Sequence, residues 1–83
     1  MENKEIGDVM SVLNELREDN TVPKNVRLKI EDALGILNED TEAEIKASRV
    51  LSKLEEISED VNLQAYARTR VWDAISLLEK IKK

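Results

Sequence analysis

Slid along itself by 41 residues, the chain superimposes its two halves without a gap, and this internal echo constrains the fold more than any other feature of the 83 residues. The apolar stripe Ile6, Val9, Met10, Leu13 and Leu16 falls on Ala47, Val50, Leu51, Leu54 and Ile57. A second stripe, Val26, Ile30, Ala33, Leu34 and Leu37, falls on Ala67, Val71, Ala74, Ile75 and Leu78. Spacings of three and four place each stripe on one side of an amphipathic helix. Ten of the 39 pairs from Lys4 to Glu42 are identical, among them Glu18 with Glu59, Asp19 with Asp60 and Arg27 with Arg68. Two unrelated amphipathic hairpins would align on their apolar stripes, but not on these polar positions, so a duplicated unit is the expectation.

Four helices follow. The first is expected from about Glu2 to Asp19. The second begins in the turn Asn20-Thr21-Val22-Pro23, because proline lacks the amide a helix interior needs and suits a first turn, and it ends at Asn38-Glu39-Asp40. Thr41 followed by Glu44 has the spacing of a capping box, opening a third helix from Glu42 to about Ser58. Asn62 is the expected N-cap of the fourth, whose stripe runs Leu63, Ala67, Val71, Ala74, Ile75, Leu78 and Ile81. Thr21 and Asn62 coincide under the shift, so the second and fourth helices are expected to be capped alike.

Each unit is thus an αα-hairpin of about 40 residues, one over residues 4–40 and one over 45–81, within a single domain of residues 1–83. The expected fold is all-α: an antiparallel four-helix bundle, with a HEAT-like open pair of hairpins as the alternative. The closed bundle is preferred because two uncapped solenoid units would leave much of their apolar surface wet.

Composition narrows the chemistry. The chain has no His and no Cys, which removes a His general base, a Cys nucleophile, a zinc finger and the Glu-x-x-His pairs of a di-metal bundle. The turns Asp19-Asn20-Thr21 and Asp60-Val61-Asn62 lack the glycine and closing glutamate of a calcium loop. No cofactor, metal or catalytic residue is expected. The net charge of −5 opposes general attraction to a nucleic-acid backbone. It is unevenly spread, however: residues 1–61 carry 8 basic and 16 acidic side chains, and residues 62–83 carry 5 and 2. The longest apolar run is three residues, so no membrane span is expected and a cytoplasmic location is the default.

A few positions stand out from the repeat. Asp19 and Arg27, like Asp60 and Arg68, flank equivalent turns. A cation early in a helix opposes the helix dipole, so with Pro23 these read as turn clamps in which each Arg bridges to the preceding helix end. Alternatively Lys24, Arg27, Lys29, Arg68 and Arg70 gather at one end to receive an anion or an acidic partner. Trp72 aligns with Glu31, so the echo expects a surface position where the sequence has its largest apolar side chain; either it widens the buried stripe of the fourth helix or it is an exposed anchor. Trp72, with Tyr66 and Leu77 on the flanks of the same helix, is the candidate interface. Val12, Leu28 and Ile36 lie outside the tight stripes and are expected at the surface. Gly35 and its counterpart Ser76 suggest a close helix approach.

The string Thr21-Val22-Pro23-Lys24-Asn25-Val26-Arg27, with Tyr66-Ala67-Arg68-Thr69 and Trp72, resembles uncharacterised protein family 0147, a group of small acidic proteins of archaea. The resemblance covers nearly the whole chain. It implies a four-helix bundle in the cytoplasm of an archaeal cell, and it implies no activity. The functional expectation is therefore a non-enzymatic module that presents a helix face to a protein partner, or to a second copy as a homodimer. The rival is accessory binding to RNA or a ribonucleoprotein through the basic edge of the second and fourth helices and the Lys80-Ile81-Lys82-Lys83 tail. Carboxylate chemistry with Tyr66 as the acid ranks last.

Overall fold

The apolar stripes become four helices, α1 (Lys4–Arg17), α2 (Lys24–Leu37), α3 (Ala43–Ser58) and α4 (Ala65–Ile81), in a computed structural model that describes residues 4–81. There is no strand among the described residues. Glu2, Lys82 and Lys83, named above in the first helix and the basic tail, lie outside them. Each helix packs on its chain neighbour, and α1 also packs on α4, so the four close into a ring. An open HEAT-like pair would instead stack α1 on α3 and α2 on α4, diagonals that here are barely in contact. The result is an up-down-up-down antiparallel bundle measuring 35 × 20 × 17 Å, its long dimension set by helices of 14 to 17 residues.

The core is filled by the two stripes and their echoes. Leu13, Ile30, Leu54, Ile57, Ile75 and Leu78 are fully buried, while Ile6 and Met10 pack against the edge of the cluster. Val12 and Ile36, expected at the surface, are buried, whereas Leu28 is exposed as expected. In a closed ring every helix touches two neighbours, so the buried arc is wider than a single tight stripe.

The helix starts differ from the expected caps. Asn62 and Thr21 cap nothing, because in each turn an aspartate captures the amide two residues on: Asp19 Oδ1 accepts from Thr21 N–H and Asp60 Oδ1 from Asn62 N–H, both at 2.8 Å. These are Asx-turns, and they commit positions 21 and 62 to the turn, so that α2 and α4 begin three residues later. Val22 and Leu63 are buried in those turns rather than on a helix. Pro23 sits at the N-cap of α2 with φ −55°, a value its ring already imposes. The capping box at Thr41 and Glu44 is also absent: Glu42 is the N-cap of α3 and makes no side-chain cap bond, leaving Thr41 one position too early for the reciprocal bonds.

Gly35 marks no close approach. A Cβ built on it meets nothing within 4 Å, and both Gly35 and Ser76 are exposed.

Candidate functional site

The α1–α2 and α3–α4 turns lie at the same end of the bundle, and their main chains are bonded alike. Asp19 N–H donates to Leu16 C=O and Asp60 N–H to Ile57 C=O. Val22 N–H donates to Asp19 C=O and Leu63 N–H to Asp60 C=O, and Arg27 and Arg68 open their helices on Pro23 C=O and Gln64 C=O. Every one of these pairs is related by 41 residues.

Side chains carry the same relation across the seams between the hairpins. Arg70 of α4 reaches Glu15 of α1 at 2.7 Å, and Lys29 of α2 reaches Glu56 of α3 at 3.1 Å. Shifting Glu15 and Lys29 by 41 gives Glu56 and Arg70. At the turns, Tyr66 O–H donates to the Asp19 carboxylate, and Asn25 Nδ2 donates to Asp60 Oδ2 at 3.3 Å. Asn25 and Tyr66 are likewise equivalent. Residue i of one hairpin thus meets residue j of the other while j's counterpart meets i's, which is the rule of an isologous interface.

The site residues named from the sequence are distributed by this scheme. Arg68 is a turn clamp: Nε donates to Ser58 C=O at 3.0 Å and a terminal nitrogen to Asp60 C=O at 2.8 Å. It thereby satisfies carbonyls at the end of α3 that have no helical partner. Its partner is the main chain rather than the Asp60 carboxylate. Arg27 has the same place in the first hairpin but not the same bonds; its buried Nε has no hydrogen-bond partner. Its charge acts only weakly on Asp19. Lys29 and Arg70 are engaged on opposite seams, α2 with α3 and α1 with α4, and Lys24 is exposed at the head of α2. The five cations are therefore not gathered on one surface. Glu15 and, less strongly, Asp73 hold the Arg70 guanidinium in its charged form, raising its affinity for the proton.

Asp19 is the most heavily bonded carboxylate of the two turns. It accepts from Tyr66 O–H, from Thr21 Oγ1 at 2.7 Å and from Thr21 N–H, and Thr21 Oγ1 lies 2.6 Å from the Tyr66 hydroxyl. The Tyr66 bond first, then the two from Thr21, hold its carboxyl below the ordinary aspartate value, because all three favour the ionised form. The same bond to Asp19 raises the Tyr66 phenol, so at neutral pH Tyr66 is a proton donor that latches the turn. Among the described residues no three acidic side chains converge as they would around a metal ion.

Trp72 is exposed over 50% of its surface, and Tyr66 to a similar degree. Leu77 is partly buried against the core. At about 100° per residue, Trp72 lies some 120° around α4 from Tyr66 and about 140° from Leu77. Arg68, which bonds α3, marks the Trp72 side, and Arg70, which bonds α1, marks the other. Trp72 therefore stands apart from the other two. The sequence reading missed Glu15, Glu56 and Asn25 as inter-hairpin contacts. The available signal was the identity of Glu15 with Glu56 opposite a position that is cationic in both halves, Lys29 and Arg70.

The sequence profile of uncharacterised protein family UPF0147 matches residues 1–81. A UPF0147 protein of Methanothermobacter thermautotrophicus is 42% identical over 84 residues, covering 100% of this chain and 82% of that protein. Two crystal structures share the fold with a TM-score of 0.87 each. That of the unknown-function protein MMP1188 is 36% identical and covers 95% of this chain and 91% of its own. That of a UPF0147 protein from Thermoplasma acidophilum is 38% identical and covers 94% and 93%.

Proposed function

From the premise that this chain belongs to uncharacterised protein family UPF0147, we propose that it is a cytoplasmic, non-enzymatic recognition protein that docks a protein partner through the flank of α4 around Trp72. The observation that carries this reading is the exposure of Trp72 on a bundle whose core is complete without it. Its equivalent position in the first hairpin is Glu31, an ordinary exposed residue, so the fold makes no demand for an indole there. A half-exposed Trp offers a large rigid apolar face and an N–H donor, the combination enriched where a few residues dominate binding. The dispersal of the cations disfavours the nucleic-acid reading, because Lys29 and Arg70 already face carboxylates. No described helix is long and apolar enough to cross a membrane.

The test compares the wild type with Trp72→Ala. Tagged forms of both are purified from the native cell, captured proteins are quantified by mass spectrometry, and light scattering follows self-association. The expected result is a partner whose capture drops at least tenfold in the variant while the thermal melt stays within about 2 °C, as for a surface substitution. As the sole tryptophan, Trp72 also reports docking by a blue-shifted emission. Equal capture by both forms and an emission unmoved by the captured proteins would overturn the reading.

A further inference from the structure

The contacts between the two hairpins join segments that one short link alone connects along the chain. Glu15 meets Arg70 and Glu56 meets Lys29, Asp19 meets Tyr66 and Asp60 meets Asn25, and Lys46 Nζ donates to Leu37 C=O at 3.1 Å. All of these, and the apolar layer between them, would form unchanged if the second hairpin came from another molecule. Only the link at residues 38–42 ties the hairpins to each other. Within it, Asn38 is held to the end of α2 by its amide and its side chain, and Glu39 pairs with Arg49 at 2.6 Å on the surface. Asp40 and Thr41 have no hydrogen bond or ion pair with any described residue. Three carboxylates, Glu39, Asp40 and Glu42, crowd this link, and straightening it would move like charges apart.

We propose that the inter-hairpin surface also fits a second copy of this chain. Residues 38–42 act as a hinge, the α1–α2 hairpin of each molecule seats on the α3–α4 hairpin of the other, and a two-fold dimer of two complete bundles results. The exchange is two-fold symmetric because the two molecules are identical, and each seam keeps the complementarity in charge and hydrogen bonding that it has within one chain. This surface is separate from the Trp72 flank, which lies on the α3 side of α4 within one hairpin, so the proposal stands or falls independently of the recognition function.

Two experiments on the whole chain test it. Removing residues 39–42 leaves Asn38 alone between α2 and α3, and two Cα steps of about 3.8 Å cannot turn α3 back along α2 when the axes of packed helices are about 8 to 10 Å apart. The expected product elutes as a dimer with wild-type helicity and dissociates only on unfolding; a folded monomer would overturn the proposal. Should the shortened chain not fold, the decision rests on full-length Glu15→Arg and Arg70→Glu, unfolded, mixed at high concentration, refolded and weighed by native mass spectrometry. Each variant alone opposes like charges across the α1–α4 seam. Only exchange between the two restores both opposite pairs, so mixed dimers should outnumber the two homodimers together by about threefold or more, against the statistical ratio of about one to one. Absence of dimers, or mixed dimers at no more than the statistical ratio, would overturn it. Trp72→Ala should leave either result unchanged.

Discussion

The two turns at the shared end of the bundle have the same main-chain bonds and different means of holding them. In the second, Arg68 reaches back to Ser58 and Asp60 carbonyls, so the α3–α4 hairpin closes on itself. In the first, Arg27 makes no such bond, and the turn is secured from outside by Tyr66 of the opposite hairpin, which bonds Asp19. Identical backbone geometry therefore does not dictate which side chains stabilise it. The second turn is closed chiefly by its own arginine, with one longer bond from Asn25 across the seam, and the first leans on Tyr66 of its neighbour.

The largest expected effect tests that difference at its centre. Arg68→Ala removes two charge-assisted bonds and leaves the Ser58 carbonyl unpaired, while Asp60 C=O keeps the Leu63 amide, a loss of about 2 to 3 kcal/mol. Arg27→Met, at the equivalent place, removes a buried donor that has no partner, and burial of such a donor is itself unfavourable. It should leave stability unchanged or raise it by up to about 1 kcal/mol. Urea unfolding followed by circular dichroism measures both. Equal losses at the two positions would mean that the turns are secured alike after all.

The helices, their order and nearly all of the core could be read from the stripes, because a 3.6-residue period is a direct image of burial. Ring closure was favoured by area, since an open pair would leave apolar faces wet, but the stripes alone did not separate it from the open pair. The helix starts were less legible. Thr21 and Asn62 are good N-caps by type, yet an aspartate two residues earlier competes for the same amide and wins, which shifts both helices. Proximity across the seams is harder still. Whether Arg70 faces Glu15 depends on how α4 is rotated against α1, and one helix's periodicity carries no record of its neighbour's rotation. The echo held part of that information, as Glu15 and Glu56 are identical while Lys29 and Arg70 keep their charge. The exposure of Trp72 was only half legible: its alignment with Glu31 pointed to the surface, but an indole beside the stripe of α4 could equally have widened the buried face.

A middle-sized effect sharpens the comparison along the helices. Gly35 and Ser76 are equivalent and exposed, and an added methyl at Gly35 meets nothing. Gly35→Ala should stabilise by about 0.5 to 1 kcal/mol, since glycine loses more backbone freedom than alanine in a helix. Ser76→Ala should gain less, about 0.5 kcal/mol at most. Thermal melts compare the two. A destabilising Gly35→Ala would reinstate a close contact at that level of α2.

The smallest effect separates the turns by pH. Asp19 in the folded chain sits below its ordinary value of 3.8, chiefly through the Tyr66 bond. A lowered folded value means that the unfolded chain binds the proton more readily, so this contribution is fully present above about pH 4 and disappears as pH falls through the lower folded value. Tyr66 behaves oppositely: its phenol lies above the ordinary 10.0 because of Asp19, so its contribution is complete below that value and is lost as pH rises through the raised one. Tyr66→Phe should therefore flatten stability against pH at both limits, leaving only the Thr21 bonds to hold Asp19 down. Asn25→Ala, which removes the equivalent bond to Asp60 by a neutral donor, should leave the alkaline limb as it is. Denaturant midpoints measured from pH 2.5 to 11 for the wild type and both variants give the result. A Tyr66→Phe profile parallel to the wild type would show that the first turn does not depend on the opposite hairpin, and the contrast between the two turns would reduce to Arg68 alone.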